Sequence, residues 1–391
     1  MDKAAGVGER IGRAREFLGL TQASVAQKMG LARTTQVAIE QGRRPASVAE
    51  LYRYSEVLSR PLDYFLGVGV WKEADFQPHF RRMAQALDSR GSSRDVETRT
   101  LLRFEGLCRS YRELEELSGL PGSSLPHFPR PRHHSSLEAE RLAATVRAHL
   151  DIGPDVPIHD LRGRLEEAFG LRAFVLGEAG KLSAAGFNDP SVGACVALAE
   201  RPVLRMRFTL AHALGYLLSA PDEPFVDIHE GNKKTAAEAF ATSFAAALLV
   251  PSQSLRERFS AVHRDEGELN DIAVLFLART FGVSLKALRG RLESLRLVSP
   301  GQLRNLDGAI REANAGGSDA ILGPEPRWDP FPERYVFLAM RAYRKGLVDR
   351  VRLAQFLGTT EEGTGFKVLQ YLASVGETTD LEGRKTGNVA G

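Results

Sequence analysis

The sequence predicts a mainly α protein with a small β component. Apolar residues recur at three- and four-residue steps through most of the chain, as in Leu101, Phe104, Leu107, Tyr111, Leu114 and Leu117. Only three short pieces, 172–176, 184–188 and 193–198, read as strands. Glycine- or proline-bearing breaks separate the helical stretches. The 391 residues are 43% hydrophobic and 26% charged, which excludes a wholly disordered or collagen-like chain. That length suggests two or three domains at about 100–200 residues each. The longest apolar run, Phe244–Pro251, falls well short of the roughly 18 residues of a membrane span. Met1-Asp2-Lys3-Ala4 is followed by no apolar segment with a small-residue cleavage site, so a cytoplasmic protein is expected. Cys108 and Cys195 are too few for a disulfide framework or a thiolate zinc site.

Taken in order, residues 7–67 are compact and helix-rich. Ile11–Leu18 forms a first helix. Thr21 can cap a second, whose apolar positions Val25, Ala26 and Met29 share one face. Gly30 supplies a turn, and a third helix, Ala32–Glu40, stops at Gly42. Two short helices about a glycine turn make a helix-turn-helix, whose second helix presents its N-terminal side chains to base edges in a major groove. Residues 10–60 hold nine Lys/Arg against four acids, a surplus of five, while the remainder of the chain sums to −2. That footprint suits a nucleic-acid-binding domain, and equally a solvated face with no partner.

Pro78–Leu120 reads as mostly helical, and Pro121–Ser136, with four prolines, as an exposed linker. A helix from Leu137 to Leu150 and another over Ile158–Phe169 precede the strand-like pieces. Helices follow over Arg207–Leu218, Thr235–Leu249, Leu269–Phe281 and Leu285–Leu295. Gly316-Gly317 and Gly323-Pro324-Glu325-Pro326 mark a junction before a helical pair near 331–373, and Gly376–Gly391 reads as disordered. The expected division is 1–70, 71–136 (helical connector and Pro-rich linker), 137–300, 301–375 and a tail, 376–391.

Residues 7–67 resemble the XRE (phage-repressor-like) helix-turn-helix family. The resemblance lies in G-E-R-I at 8–11, L-G-L-T-Q at 18–22, V-A-Q-K-M-G at 25–30, I-E-Q-G at 39–42, and P-L-D-Y-F-L at 61–66. It implies a five-helix, lambda-repressor-like domain in which Arg15 and Glu40 form a buried ion pair tying the first helix to the third. It also implies DNA contacts from Gln22, Arg33, Thr34, Thr35 and Gln36, with Arg33 suited to guanine. Arg43 and Arg44 would hold phosphates by charge. Where the family usually has an aliphatic core residue, this chain has Gln36. The expectation is that Val37 takes over the packing, with a slight rotation of the helix.

Farther on, Arg207-Phe208-Thr209-Leu210-Ala211-His212-Ala213-Leu214-Gly215-Tyr216-Leu217-Leu218 and Glu238–Pro251 stand out. With Ala185-Gly186-Phe187-Asn188-Asp189-Pro190, they resemble the ImmA/IrrE family of metallopeptidase-like proteins over about 137–300. That resemblance implies an α+β zincin-like domain, followed here by a helical C-terminal region. Active members carry two histidines four apart as zinc ligands, a glutamate between them as general base, and a later acid. This chain keeps His212 and Glu238 but has Ala213 in place of the base and Tyr216 in place of the second histidine. Alanine accepts no proton, and one His with one Glu falls short of the three protein ligands a catalytic zinc uses. The expectation is a pseudo-peptidase with no catalytic residues, no metal and no cofactor. His212 is then either a core histidine satisfied by Glu238 or a carbonyl, or, with Tyr216 and Glu238, an anchor in a ligand pocket that occupies the former metal site. Cys195 reads as a buried small residue, His133-His134 as lacking ligand spacing, and Val283-Ser284 with Ala287-Leu288 as packing.

Together these readings imply a sequence-specific transcription regulator. It would bind a palindromic operator in double-stranded DNA as a homodimer, nucleoid-associated, with the degenerate domain dimerising and sensing a small-molecule or protein effector. Two other functions fit the architecture: a repressor-cleaving metallopeptidase, and a DNA-binding antitoxin or immunity factor.

Overall fold

Short helices with well-made ends open the chain: α1 (Val7–Phe17), α2 (Gln22–Met29), α3 (Arg33–Glu40), α4 (Val48–Val57) and α5 (Leu62–Leu66). The Thr21 hydroxyl accepts the Ser24 amide at 3.1 Å to start α2, and Gly30, at φ 68°, ends it. Ser47 and Glu50 form a capping box at the start of α4. Ile11, Val25, Ile39, Tyr54, Leu58 and Phe65 meet in one small core. Each large side chain buried there contributes about 1.5–3 kcal/mol. The computed structural model describes residues 6–18, 20–58, 60, 62–67, 76–88, 94–120, 125–228, 235–266, 271–299 and 328–358. Readings made for 301–327 and for 359–391, the tail among them, lie outside the described residues.

The body follows with α6 (Gln77–Asp88), α7 (Arg94–Ser118), α8 (Ser136–His149) and α9 (Leu161–Phe169). Three strands come next: β1 (Arg172–Leu176), β2 (Leu182–Asp189) and β3 (Gly193–Ala199). After them lie α10 (Val203–Ser219), β4 (Phe225–Ile228), α11 (Ala236–Leu249), α12 (Ser252–Glu266), α13 (Asp271–Phe281), α14 (Leu285–Ser294), α15 (Glu333–Arg344) and α16 (Arg350–Phe356). The sheet order is β1-β3-β2-β4, with β1 parallel to β3 and the other pairs antiparallel. Strand β3 is buried at every position, which explains its wholly apolar sequence. Ala194, Val196 and Leu198 share one core with α8, α10 and α11. Cys195, Ala197 and Ala199 share the other with α6, α7 and α15. The sheet is therefore a middle layer between two helical layers.

Helix α7 ties several elements together. Glu105, fully buried, meets Arg60 at 2.8 Å and Arg109 at 2.7 Å. The Arg60 guanidinium also lies 4.6 Å from the Phe17 ring centre, so the first five helices dock on α7 through a buried ion pair and an aromatic ring. Ten residues on, about 15 Å along the helix, Glu115 pairs with Arg172 of β1 at 2.8 Å and with Arg334 of α15. Glu97 accepts the Lys181 amide between β1 and β2 at 2.9 Å.

The described part of the proline-rich stretch, 125–136, departs from a free linker. Phe128 is buried between the rings of His149 (4.8 Å) and Phe169 (5.5 Å), and Arg130 pairs with Asp222 at 2.7 Å. An apolar ring among the prolines pulls the segment onto the body. Strand β4 and helix α12 are additions to the sequence reading, and α9 starts at Leu161, capped by Asp160, rather than at Ile158.

Candidate functional site

The three helices α1, α2 and α3 are joined by one carboxylate. Glu40, at the end of α3, accepts from Arg15 Nε at 2.7 Å and Nη2 at 3.0 Å, from Gln22 Nε2 at 2.9 Å, and from Gln36 Nε2 at 2.8 Å. The Arg15–Glu40 pair expected from the motif is thus bidentate. Burial disfavours the ionised Glu40. The donors from Arg15, Gln22 and Gln36 overcome that penalty and hold its carboxyl below the ordinary glutamate value.

Gln36 does not face the solvent. It is completely buried, and its Oε1 accepts the Tyr54 hydroxyl at 2.6 Å. A DNA contact from Gln36 is therefore corrected. The chain fills an otherwise aliphatic site with a polar group whose donor and acceptor sides both find partners, so Val37 need not turn inward and stays partly exposed. Burial pushes the Tyr54 phenol up, so it remains a donor. Gln22 spends one of its two amide N–H groups on Glu40 and is partly exposed.

Arg33 and Thr34 are exposed at the first turn of α3 and Thr35 is partly exposed. Arg43 and Arg44 are exposed just past Gly42. Arg43 bonds Gln41, and Arg44 pairs with Glu50 at 2.9 Å.

In the body, α10 and α11 cross closely at Gly215, where a Cβ would stand 3.0 Å from both the Ala241 Cα and the Phe244 ring. His212, 7% exposed, is carried on the same helix. Its Nε2 lies 3.3 Å from Thr242 Oγ1 on α11 and its Nδ1 3.6 Å from Asp227 Oδ2 on β4. The Thr242 hydroxyl donates to the Glu238 carbonyl at 2.8 Å. Tyr216 sets its ring edge-on to His212 at 5.0 Å and stacks on Phe225 at 4.9 Å. Ala213 is fully buried in the core.

The structure thus brings His212 and Tyr216 together. On α11 His212 meets Thr242, one turn beyond Glu238, whose amide caps onto Thr235 at 3.1 Å. Asp227 and Thr242 escaped the sequence reading: the first lies on an unforeseen strand, and the second is one threonine in an alanine-rich helix. Among the described residues, no group of three or more His, Cys, Asp or Glu side chains is placed to hold a metal ion. His134 packs beside the Phe240 ring at 5.3 Å.

Residues 11–65 match the family model described as helix-turn-helix, and residues 167–293 match the model described as IrrE N-terminal-like domain. The chain carries a helix-turn-helix domain joined to an IrrE N-terminal-like domain. This is the fusion to which the XRE and ImmA/IrrE motifs point. The helix-turn-helix match runs from α1 into α5. The IrrE-like match begins within α9, takes in the whole sheet, α10 and α11, and ends in α14. Helices α6, α7, α15 and α16 lie outside both matches yet pack on the far face of the IrrE-like sheet. No curated protein matches the chain. The solved structure titled "Crystal structure of PrgX/iCF10 complex" aligns at 14% identity over 94% of this chain and 96% of that one. Its TM-score of 0.17 is too low to carry an argument. No helix among the described residues is long and apolar enough to cross a membrane.

Proposed function

We propose that this chain is a sequence-specific, DNA-binding transcription regulator whose IrrE-like domain senses an effector and dimerises rather than cutting peptide bonds. The observation that carries the reading is the first turn of α3: Arg33 and Thr34 stand exposed on a helix locked to α1 and α2 through Glu40. A helix held that rigidly can enter a major groove in one register. Arg33 then bonds guanine, Gln22 and Thr35 contact the backbone or base edges, and Arg43 and Arg44 position the phosphates. The surplus of five positive charges over residues 10–60 supplies attraction independent of sequence.

A buried methyl at Ala213, where a general base would have to stand, supports loss of hydrolysis, because alanine accepts no proton from water. Around His212 polar groups lie beside aromatic rings (Asp227 and Thr242 beside Tyr216 and Phe225, with Glu238 a turn away), a composition suited to a small effector. Helix α7 offers the route from that domain to the DNA, since it grips the sheet at Glu115 and the helix-turn-helix at Glu105. In this reading 1–70 binds DNA, 71–136 connects, 137–300 is the peptidase-like domain and 301–375 completes it. Two copies would read a palindromic operator.

Genome-wide mapping of DNA bound by the chain tests this. A recurring motif with two-fold symmetry is expected. Uniform occupancy without a motif would refute it.

A further inference from the structure

The inward turn of Gln36 decides what α3 shows to its surroundings. Gln36 and Ile39 are buried and Glu40 is tied to Arg15. At about 100° per residue the opposite face holds Thr34, Ala38 and Gln41, flanked by Val37. Thr34 and Gln41 are exposed, and Val37 and Ala38 are partly exposed. Between Arg33 at one end of the helix and Gln41 at the other, this stripe carries three short side chains that end in methyl groups. Neither valine nor alanine has a donor or acceptor for a base edge. The one apolar feature of the major groove is the thymine C5-methyl. Short side chains also let the helix backbone sit deep, and the positive charge around the domain favours a polyanion as the occupant of this face.

We propose that Val37 and Ala38, with the Thr34 methyl beside them, read thymine through its C5-methyl, so that the operator places thymines under the middle of α3. This rests on the reading that α3 enters a major groove.

The test takes the full chain and a random duplex pool and enriches the bound sequences. In the enriched duplex each thymine is then replaced singly by deoxyuridine, which removes only the methyl. One or two replacements per half-site should weaken binding about fourfold each, as expected for one buried methyl-sized group. The Val37→Ser/Ala38→Ser variant should lose that sensitivity while keeping its dependence on the Arg33 base. An enriched motif with no uracil-sensitive position would overturn the methyl readout and leave sequence-specific binding standing. Sensitivity unchanged in the double variant would overturn the assignment to these residues. No enrichment at all would overturn both the readout and the proposed function. The uracil series on the unsubstituted chain needs no variant, so misfolding of the variant cannot obscure the answer.

Discussion

Replacing Gln36 by leucine restores the aliphatic residue that helices of this type usually place there, and it should nevertheless destabilise the protein. The Tyr54 hydroxyl, 2.6 Å from Gln36 Oε1 and fully buried, would lose its acceptor. Leaving a buried hydroxyl unsatisfied costs about 1–3 kcal/mol, against which the apolar gain of leucine is partial compensation. Tyr54→Phe alone strands the Gln36 carbonyl oxygen and should cost a similar amount. The double variant Gln36→Leu/Tyr54→Phe removes both ends of that hydrogen bond and should recover the part of the loss owed to it, leaving only the cost of the Gln36 N–H that Glu40 no longer receives. Glu40 keeps Arg15 and Gln22 in every variant. The resulting coupling, about 1–3 kcal/mol, can be read from native-state hydrogen exchange of the α3 and α4 amides in the full chain. Additive costs would refute the pairing and with it the inward placement of Gln36.

Glu40, held below the ordinary glutamate value, stabilises the helix-turn-helix domain at pH above that value. This contribution is lost as pH falls through its lowered folded value. Acid unfolding followed through this domain should accordingly be shallower for Glu40→Gln, and equal slopes would contradict the linkage. Glu105→Gln strips Arg60 of its buried carboxylate partner and should cost about 3–5 kcal/mol, whereas Arg60→Met/Glu105→Leu should cost clearly less in a denaturant titration, the remainder reflecting the Arg109–Glu105 bond lost with it. Arg33→Ala should relax base preference at one operator position by about 1–3 kcal/mol, while Arg43→Ala should weaken all duplexes alike and lower the salt slope by about one. Competition binding against specific and random duplexes separates those two outcomes.

Much of this architecture was legible in the residues. The spacing of Leu101, Phe104, Tyr111 and Leu114 marks the buried face of α7, and Thr21 and Gly30 mark the ends of α2, because caps and periodicity are local. The largely apolar run Arg172–Leu176 marks strand β1 with its observed bounds. What escaped depends on partners distant in sequence. Phe225–Ile228 is four residues long and becomes a strand only because β2 offers its edge. Gln36 is polar and so reads as outward, and its burial depends on both Tyr54 on α4 and Glu40 one turn on. Phe128 sits among prolines that suggest exposure, yet the pocket between His149 and Phe169 claims it. In the α10 cluster, His212 and Tyr216 stand out through their motif. Asp227 and Thr242 carry no local signal and reach His212 only through sheet register and helix crossing.

The most direct measurement is the affinity ratio of the purified chain for its enriched duplex and for a scrambled duplex of equal length, at physiological salt. Sequence-specific recognition by α3 predicts a ratio of roughly a thousand or more, the usual margin of specific over non-specific binding. A ratio near one would contradict it.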